Sequence, residues 1–352
     1  MRGCDFEKFS REKNLHETKI FSYAKNYTER KIPMNKTAIV FPGQGAQKVG
    51  MCSDFCEKFS SAKKIFDSLD ANVKKIIFEG PQESLNRTLV AQPALFAADL
   101  ACACALAEIG VEADGAAGFS LGEIPALVFG SVFDFSQGLE FVNFRAKSMQ
   151  TCAEKNHGGM AAVIGISADE IISICAEIDG AWPANFNSAT QTVVAFREDS
   201  FENLSKIISS QRGKIIRLAV SGAFHSPLMN DAAEEIKVFL HAERKFNFGE
   251  QSQPGNPRPE NEFSFQKKPI YSNVTAQIYG DSATDLLSRH VNSPVKWRET
   301  IENMICDGFG TFIEAGPGKT LTGLIQKINP DVKIFNVFDL QSLENFKNNF
   351  FA

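Results

Sequence analysis

A chain of 352 residues, 43% of them apolar, can bury a sizeable core, as one large domain carrying an insertion or a small second domain. A formal net charge of -5 argues against a nucleic-acid binder. The most apolar window, residues 94–111, is interrupted by Asp99 and Glu108, so it reads as a buried core helix and not as a membrane span.

Residues 1–33 are charged and lack periodicity, and are expected to be a disordered extension or the product of an upstream start, with Met34 as the natural initiator. No charged-then-apolar signal segment occurs there. The eight cysteines make no C-x-x-C pair and no Cys/His cluster of zinc spacing. Reduced thiols in a cytoplasmic protein, with no metal and no cofactor, are therefore expected.

Thr37–Phe41 is a short apolar strand running into Pro42-Gly43-Gln44-Gly45-Ala46-Gln47. That loop has neither a dinucleotide-binding nor a P-loop spacing. Its glycines instead let the backbone approach a reacting centre and offer an N–H to an oxyanion. Helices are expected over Asp54–Leu69 and Gln92–Ile109, then a weak strand that ends at Gly118-Phe119-Ser120-Leu121-Gly122-Glu123. This G-x-S-x-G stretch has the pattern of a nucleophile elbow, a serine on a sharp strand-to-helix turn. Side chains at either flanking glycine would clash with the neighbouring strand and helix. Pro125 lacks the N–H that would bond the carbonyl of Leu121, which loosens the first turn of the helix that follows.

Phe135–Lys155 places Leu139, Val142, Ala146, Met149 and Ala153 on one helix face. Arg145 borders that stripe and is either snorkelling to solvent or held inward by an anion. Residues 157–220 read as β-α-β-β-α-β, a small ferredoxin-like unit: strand Met160–Ile166, a helix opened by the capping box Ser167–Glu170, strands Trp182–Asn187 and Thr192–Phe196, helix Phe201–Ser209 and strand Lys214–Val220. A helix from about Asp231 to Ala242 precedes a proline-rich, nearly apolar-free stretch, 249–262, expected as a flexible loop. Strand Pro269–Val274, helix Trp297–Cys306, strand Thr311–Glu314, helix Leu321–Ile328 and strand Val332–Phe338 complete the chain. The alternation predicts an α/β fold, with a hydrolase-like large domain built from 34–156 and 221–345 around a mainly parallel sheet.

A serine nucleophile needs a base. Among His16, His157, His225, His241 and His290, only His225 sits at a strand-to-helix junction where a ring can project towards a cleft. An esterase or thioesterase reading would instead pair Ser120 with a late Asp and a late His such as His290. That leaves His225 without a role, and His290 sits in an ordinary polar segment. A non-catalytic carrier-protein docking module is a third reading.

Six stretches occur in one order: F-P-G-Q-G-A-Q (41–47), G-F-S-L-G-E (118–123), Arg145, N-F-N-S (185–188), G-A-F-H-S-P-L-M (222–229) and E-A-G-P-G-K-T-L-T-G-L (314–324). Together they resemble the malonyl-CoA:acyl carrier protein transacylase family over about residues 34–340. The resemblance implies a ping-pong transfer of malonyl from malonyl-CoA to the phosphopantetheine thiol of acyl carrier protein, for fatty acid synthesis. It implies Ser120 as nucleophile, His225 as base, backbone N–H groups of Gln44 and Leu121 as the oxyanion hole and Arg145 as a bidentate clamp on the malonyl carboxylate. Phe224 matches malonyl-selective members, and Asn185 and Asn187 either line the site or shape a turn. The backbone carbonyl of Lys296 is implied as the group that orients the base, where relatives commonly carry Gln. Phe119 replaces a frequent His. Lys48, Lys296 and Lys319 are candidates for receiving the acidic carrier protein. A monomer is expected, and a discrete acyltransferase of a polyketide assembly line is the nearest alternative.

Overall fold

The computed structural model describes residues 34–242, 266–280 and 283–351. The expected N-terminal extension (1–33) and the 249–262 loop lie outside those residues. The strands in chain order are β1 (Lys36–Phe41), β2 (Gly115–Gly118), β3 (Gly158–Ile164), β4 (Ala181–Ser188), β5 (Gln191–Arg197), β6 (Lys214–Arg217), β7 (Ile270–Tyr271), β8 (Phe309–Ala315) and β9 (Lys333–Val337). They form two sheets. One has five strands in the order β7-β2-β1-β8-β9, all parallel, and the other four in the order β4-β5-β3-β6, all antiparallel.

β1 is central to the parallel sheet and carries no polar residue after Thr37, because both of its faces are covered. Ile39 and Phe41 enter the larger core, against the Thr88–Glu108 and Phe135–Lys155 helices. Ala38 and Val40 enter a second core on the opposite face, with the Trp297–Cys306 and Thr320–Ile328 helices. The Thr88–Glu108 helix is long and apolar enough to cross a membrane, yet 89% of its most apolar window is buried inside the fold. It is apolar all round because it is wrapped all round. The antiparallel sheet has a core of its own, in which Ala161, Val163, Val194 and Phe196 meet Ile171, Ile174, Leu204 and Ile208 of the Ala168–Glu177 and Phe201–Ser210 helices.

The helical stretch expected around 54–69 forms as two helices, Ser53–Lys58 and Ser60–Asp67, parted by Phe59 in an extended conformation. Two strands fall short of expectation. The final strand of the antiparallel sheet stops at Arg217, with Leu218 adding one more ladder bond to the Met160 carbonyl. The strand expected over 269–274 pairs only at Ile270 and Tyr271, because the Ser272 N–H bonds the Gln277 carbonyl and the chain folds into a turn. That turn places Asn273 against the elbow. The helices Ala71–Glu79, Ala283–Arg289 and Leu340–Phe350 are additional to those read from the sequence.

Candidate active site

The elbow forms where β2 ends. Ser120 opens a single 3-10 turn, Ser120–Gly122, which passes into the Glu123–Phe129 helix. Its φ is 50°, a left-handed conformation that costs a non-glycine residue about 1–3 kcal/mol. Both glycines are sterically required. A Cβ on Gly118 would stand 1.9 Å from the carbonyl of Gly122, and one on Gly122 would stand 2.1 Å from the Phe41 oxygen of β1. Pro125 falls in the first turn of the Glu123–Phe129 helix, directly after the 3-10 turn.

The Ser120 hydroxyl lies 2.7 Å from Nε2 of His225. Nδ1 of His225 faces two backbone carbonyls, His290 at 3.0 Å and Ser293 at 3.2 Å. A carbonyl only accepts, so Nδ1 carries the proton and Nε2 presents a bare lone pair to the serine. Burial lowers the His225 pKa to about 4, aided by the Arg145 charge and opposed by the two carbonyls. The imidazole is neutral and ready to accept a proton at physiological pH.

The two carbonyls correct the expectation for Lys296. The Lys296 carbonyl starts the Trp297–Cys306 helix, accepting from the N–H and the hydroxyl of Thr300 at 2.9 Å each, while its ammonium lies 3.7 Å from Glu299. The carbonyls that face His225 come earlier in the same segment, because Val295 is tied into β4 (its N–H donates to Ala184 and its carbonyl accepts from Phe186). That tie turns 290–293 towards the base.

Arg145 is 1% exposed. One terminal nitrogen donates to Gln92 Oε1 at 2.7 Å, the other to the Ser120 hydroxyl at 3.3 Å, and Nε has no hydrogen-bond partner. Burial pulls its pKa down to about 10, against the attraction of Glu123. At neutral pH it is a buried cation answered by an amide and a hydroxyl.

Gln44 follows β1, and its side chain reaches Thr88 at 3.3 Å. Its loop touches the elbow, since a Cβ on Gly43 would meet the Phe119 carbonyl oxygen at 2.4 Å. The Ser120 N–H is already committed to Asn273 Oδ1 at 2.7 Å. Leu121 is fully buried at the turn. Phe224 is buried beside His225. Asn185 and Asn187 are buried on β4, and Asn187 Oδ1 is unpartnered. Phe119 packs edge-on against Trp297, with ring centroids 5.5 Å apart. Lys48 and Lys319 are exposed.

Sequence reasoning passes over the polar cluster behind the elbow. Glu123, Asn273 and His290 are each 1% exposed or less. Glu123 accepts from the Asn273 N–H at 2.6 Å and from the Tyr279 hydroxyl. Its pKa is pushed up to about 7 by burial, against the Tyr279 hydroxyl, the Asn273 N–H and the Arg145 charge. His290, expected in an ordinary polar segment, lies with its ring centroid 5.7 Å from that of His225. Burial, then Arg145 and His225, hold it well below the usual histidine range. The E that ends G-x-S-x-G-E was the one available signal for this cluster.

The chain matches the acyl transferase domain family over residues 38–334, so it is an acyltransferase. The malonyl CoA-acyl carrier protein transacylase of Bacillus subtilis is 33% identical over 88% of this chain and 96% of its own length. A crystal structure of the transacylase of that name from Clostridium perfringens has a TM-score of 0.80 at 32% identity, covering 90% of this chain and 97% of its own. A malonyl-transacylase solved in complex with a type II PKS acyl-carrier protein has a TM-score of 0.79 at 33% identity, covering 90% of this chain and 100% of its own. The chain belongs to the malonyl-CoA:acyl carrier protein transacylase family.

Proposed function

We propose that this protein transfers malonyl from malonyl-CoA to the phosphopantetheine thiol of acyl carrier protein through a malonyl ester on Ser120, supplying fatty acid synthesis. The observation that carries the reading is the meeting of Ser120, a neutral His225 and a buried Arg145 at one point. His225 Nε2 takes the hydroxyl proton as Oγ attacks the thioester carbonyl. The N–H groups of Leu121 and Gln44 receive the oxyanion, a role that the Ser120 N–H has given up to Asn273. Collapse breaks the C–S bond, and the CoA sulfur leaves with the proton held on His225. In the second half, the carrier thiol passes its proton to His225 and attacks the acyl carbon, and as the C–O bond to Ser120 breaks His225 returns that proton to Oγ.

Arg145 has two terminal nitrogens for the two carboxylate oxygens of malonyl, and displacing its bond to Ser120 frees the nucleophile. Phe224, beside the base, limits bulk at the α-carbon, and Asn185 and Asn187 line the side formed by β4. Lys48 and Lys319 are the exposed cations offered to the acidic carrier protein. The strand order β4-β5-β3-β6 supports reading 157–220 as a ferredoxin-like insertion in a hydrolase-like large domain of 34–156 and 221–345. A cytoplasmic monomer is the setting this reading carries.

Incubation with malonyl-CoA and then with holo acyl carrier protein, following both intact masses, tests the proposal. The expected result is a malonyl adduct on the enzyme that moves to the carrier. Release of free malonate, with an unmodified carrier, would support hydrolysis instead.

A further inference from the structure

Ser120 is held in a left-handed conformation without glycine's freedom, so something outside the turn must hold it there. The candidate is one side-chain amide. Asn273 accepts from the Ser120 N–H through Oδ1 at 2.7 Å and donates through Nδ2 to the Gly118 carbonyl at 2.6 Å. A single planar group thus bonds the backbone both before and at the strained residue. Asn273 is itself fully buried and anchored. Its own N–H donates to Glu123 at 2.6 Å, and the other oxygen of Glu123 takes the Tyr279 hydroxyl.

The same cluster reaches the base. His290 Nε2 lies 3.3 Å from Asn273 Oδ1, and the His290 carbonyl holds Nδ1 of His225. The neighbouring Val291 carbonyl accepts the His225 N–H at 2.9 Å, and His225 too is left-handed, with φ 59°. Nucleophile and base come from segments 105 residues apart, yet both strained backbones are gripped from one buried cluster.

We propose that Asn273 is a positioning residue that sets the Ser120 hydroxyl against His225 Nε2, with Glu123, Tyr279 and His290 holding Asn273 in place. It touches no reacting atom, and acts through the backbone of the elbow. The proposal rests on Ser120 as the nucleophile of malonyl transfer, so two reagents are used on the full chain. One is malonyl-CoA. The other is a fluorophosphonate, which needs an activated serine but no malonyl site: Oγ bonds phosphorus, fluoride leaves and His225 takes the proton.

Asn273→Ala should lower fluorophosphonate labelling of Ser120 by about 100-fold, the scale of an ångström-level misplacement. Single-turnover malonylation should slow by the same factor, with half-saturating malonyl-CoA unchanged within about threefold. Asn273→Asp adds a readout that general destabilisation does not move. A protonated carboxyl can accept from Ser120 and donate to Gly118 as the amide does, whereas a carboxylate can only accept. The ionisable groups facing it are Glu123 and His290, with Tyr279 behind Glu123 and the charge of Arg145 acting on both. The labelling rate of Asn273→Asp relative to wild type should therefore rise as pH falls from about 9 to about 6.

Labelling of Asn273→Ala within threefold of wild type overturns the proposal, as does a loss confined to half-saturation. If the alanine variant does not fold, a flat pH ratio for Asn273→Asp overturns it. Wild-type enzyme that reacts with the fluorophosphonate but not with malonyl-CoA would defeat the transfer reading alone, and labelling of the variants would still decide the role of Asn273.

Discussion

Two arginines show how differently the two sheets treat charge. Arg217, on β6 of the antiparallel sheet, is 46% exposed and meets Glu198 in a two-pronged pair at 2.7 and 2.5 Å. It lies over the rings of Phe196 and Phe201, 5.4 and 5.3 Å from their centroids. Arg145, beside the parallel sheet, is 1% exposed and finds an amide, a hydroxyl and one unpartnered nitrogen. The exposed arginine has a two-pronged carboxylate and two ring faces and gains little, since water and salt screen the pair. The buried one has lost its water without gaining a carboxylate. On the proposed reading, the buried arginine gains most when the missing carboxylate arrives, and the surface one has little left to gain.

The contrast can be broken most severely at the nucleophile. Ser120→Ala should abolish the malonyl adduct in intact mass, and an adduct of normal yield on that variant would remove the serine from the chemistry. His225→Ala should slow acylation by about 10³-fold, within the range of general-base contributions. Gly118→Ala should destabilise the protein by about 3 kcal/mol in denaturant melts, because its Cβ would meet the backbone of Gly122 at 1.9 Å. A wild-type melt would mean that the elbow relaxes freely.

A pH profile of the acylation rate sharpens the contrast further. The His225 pKa is lowered to about 4, so the base is neutral above that value and the rate is lost as pH falls through it. Acylation should stay flat from about pH 8 down to about pH 5. Glu123→Gln removes the nearby carboxyl that titrates at about 7. A midpoint near that of free histidine in both proteins would contradict the burial argument. The smallest effect is expected at the other arginine: Arg217→Ala should change stability by less than about 1 kcal/mol and leave acylation unaltered.

What could be read in the sequence follows the same division. β1, the Phe135–Lys155 helix and the capping box at Ser167 are local patterns, and the chain obeys them. The Leu340–Phe350 helix carried an equally local signal, since Asp339 and Ser342 cap it reciprocally. Ser120 and His225 are legible because each sits in a motif, and Arg145 only through its place in the order of those motifs. Asn273 and Tyr279 are not, because they meet Glu123 across 150 and 156 residues and no spacing announces it. The expectation for Lys296 fails for a related reason. Which carbonyl reaches His225 depends on the pairing of Val295 with β4, a tertiary contact between the 290–296 segment and the antiparallel sheet.

The central claim is that Arg145 is buried unpaired in order to receive the carboxylate of the acyl group. The direct measurement is the single-turnover rate of Ser120 acylation by malonyl-CoA and by acetyl-CoA, in wild type and in Arg145→Ala. The account predicts that the substitution slows malonyl transfer by about 100-fold or more and changes acetyl transfer far less, collapsing the preference. Equal losses on both substrates would contradict it, and would leave Arg145 as a structural cation.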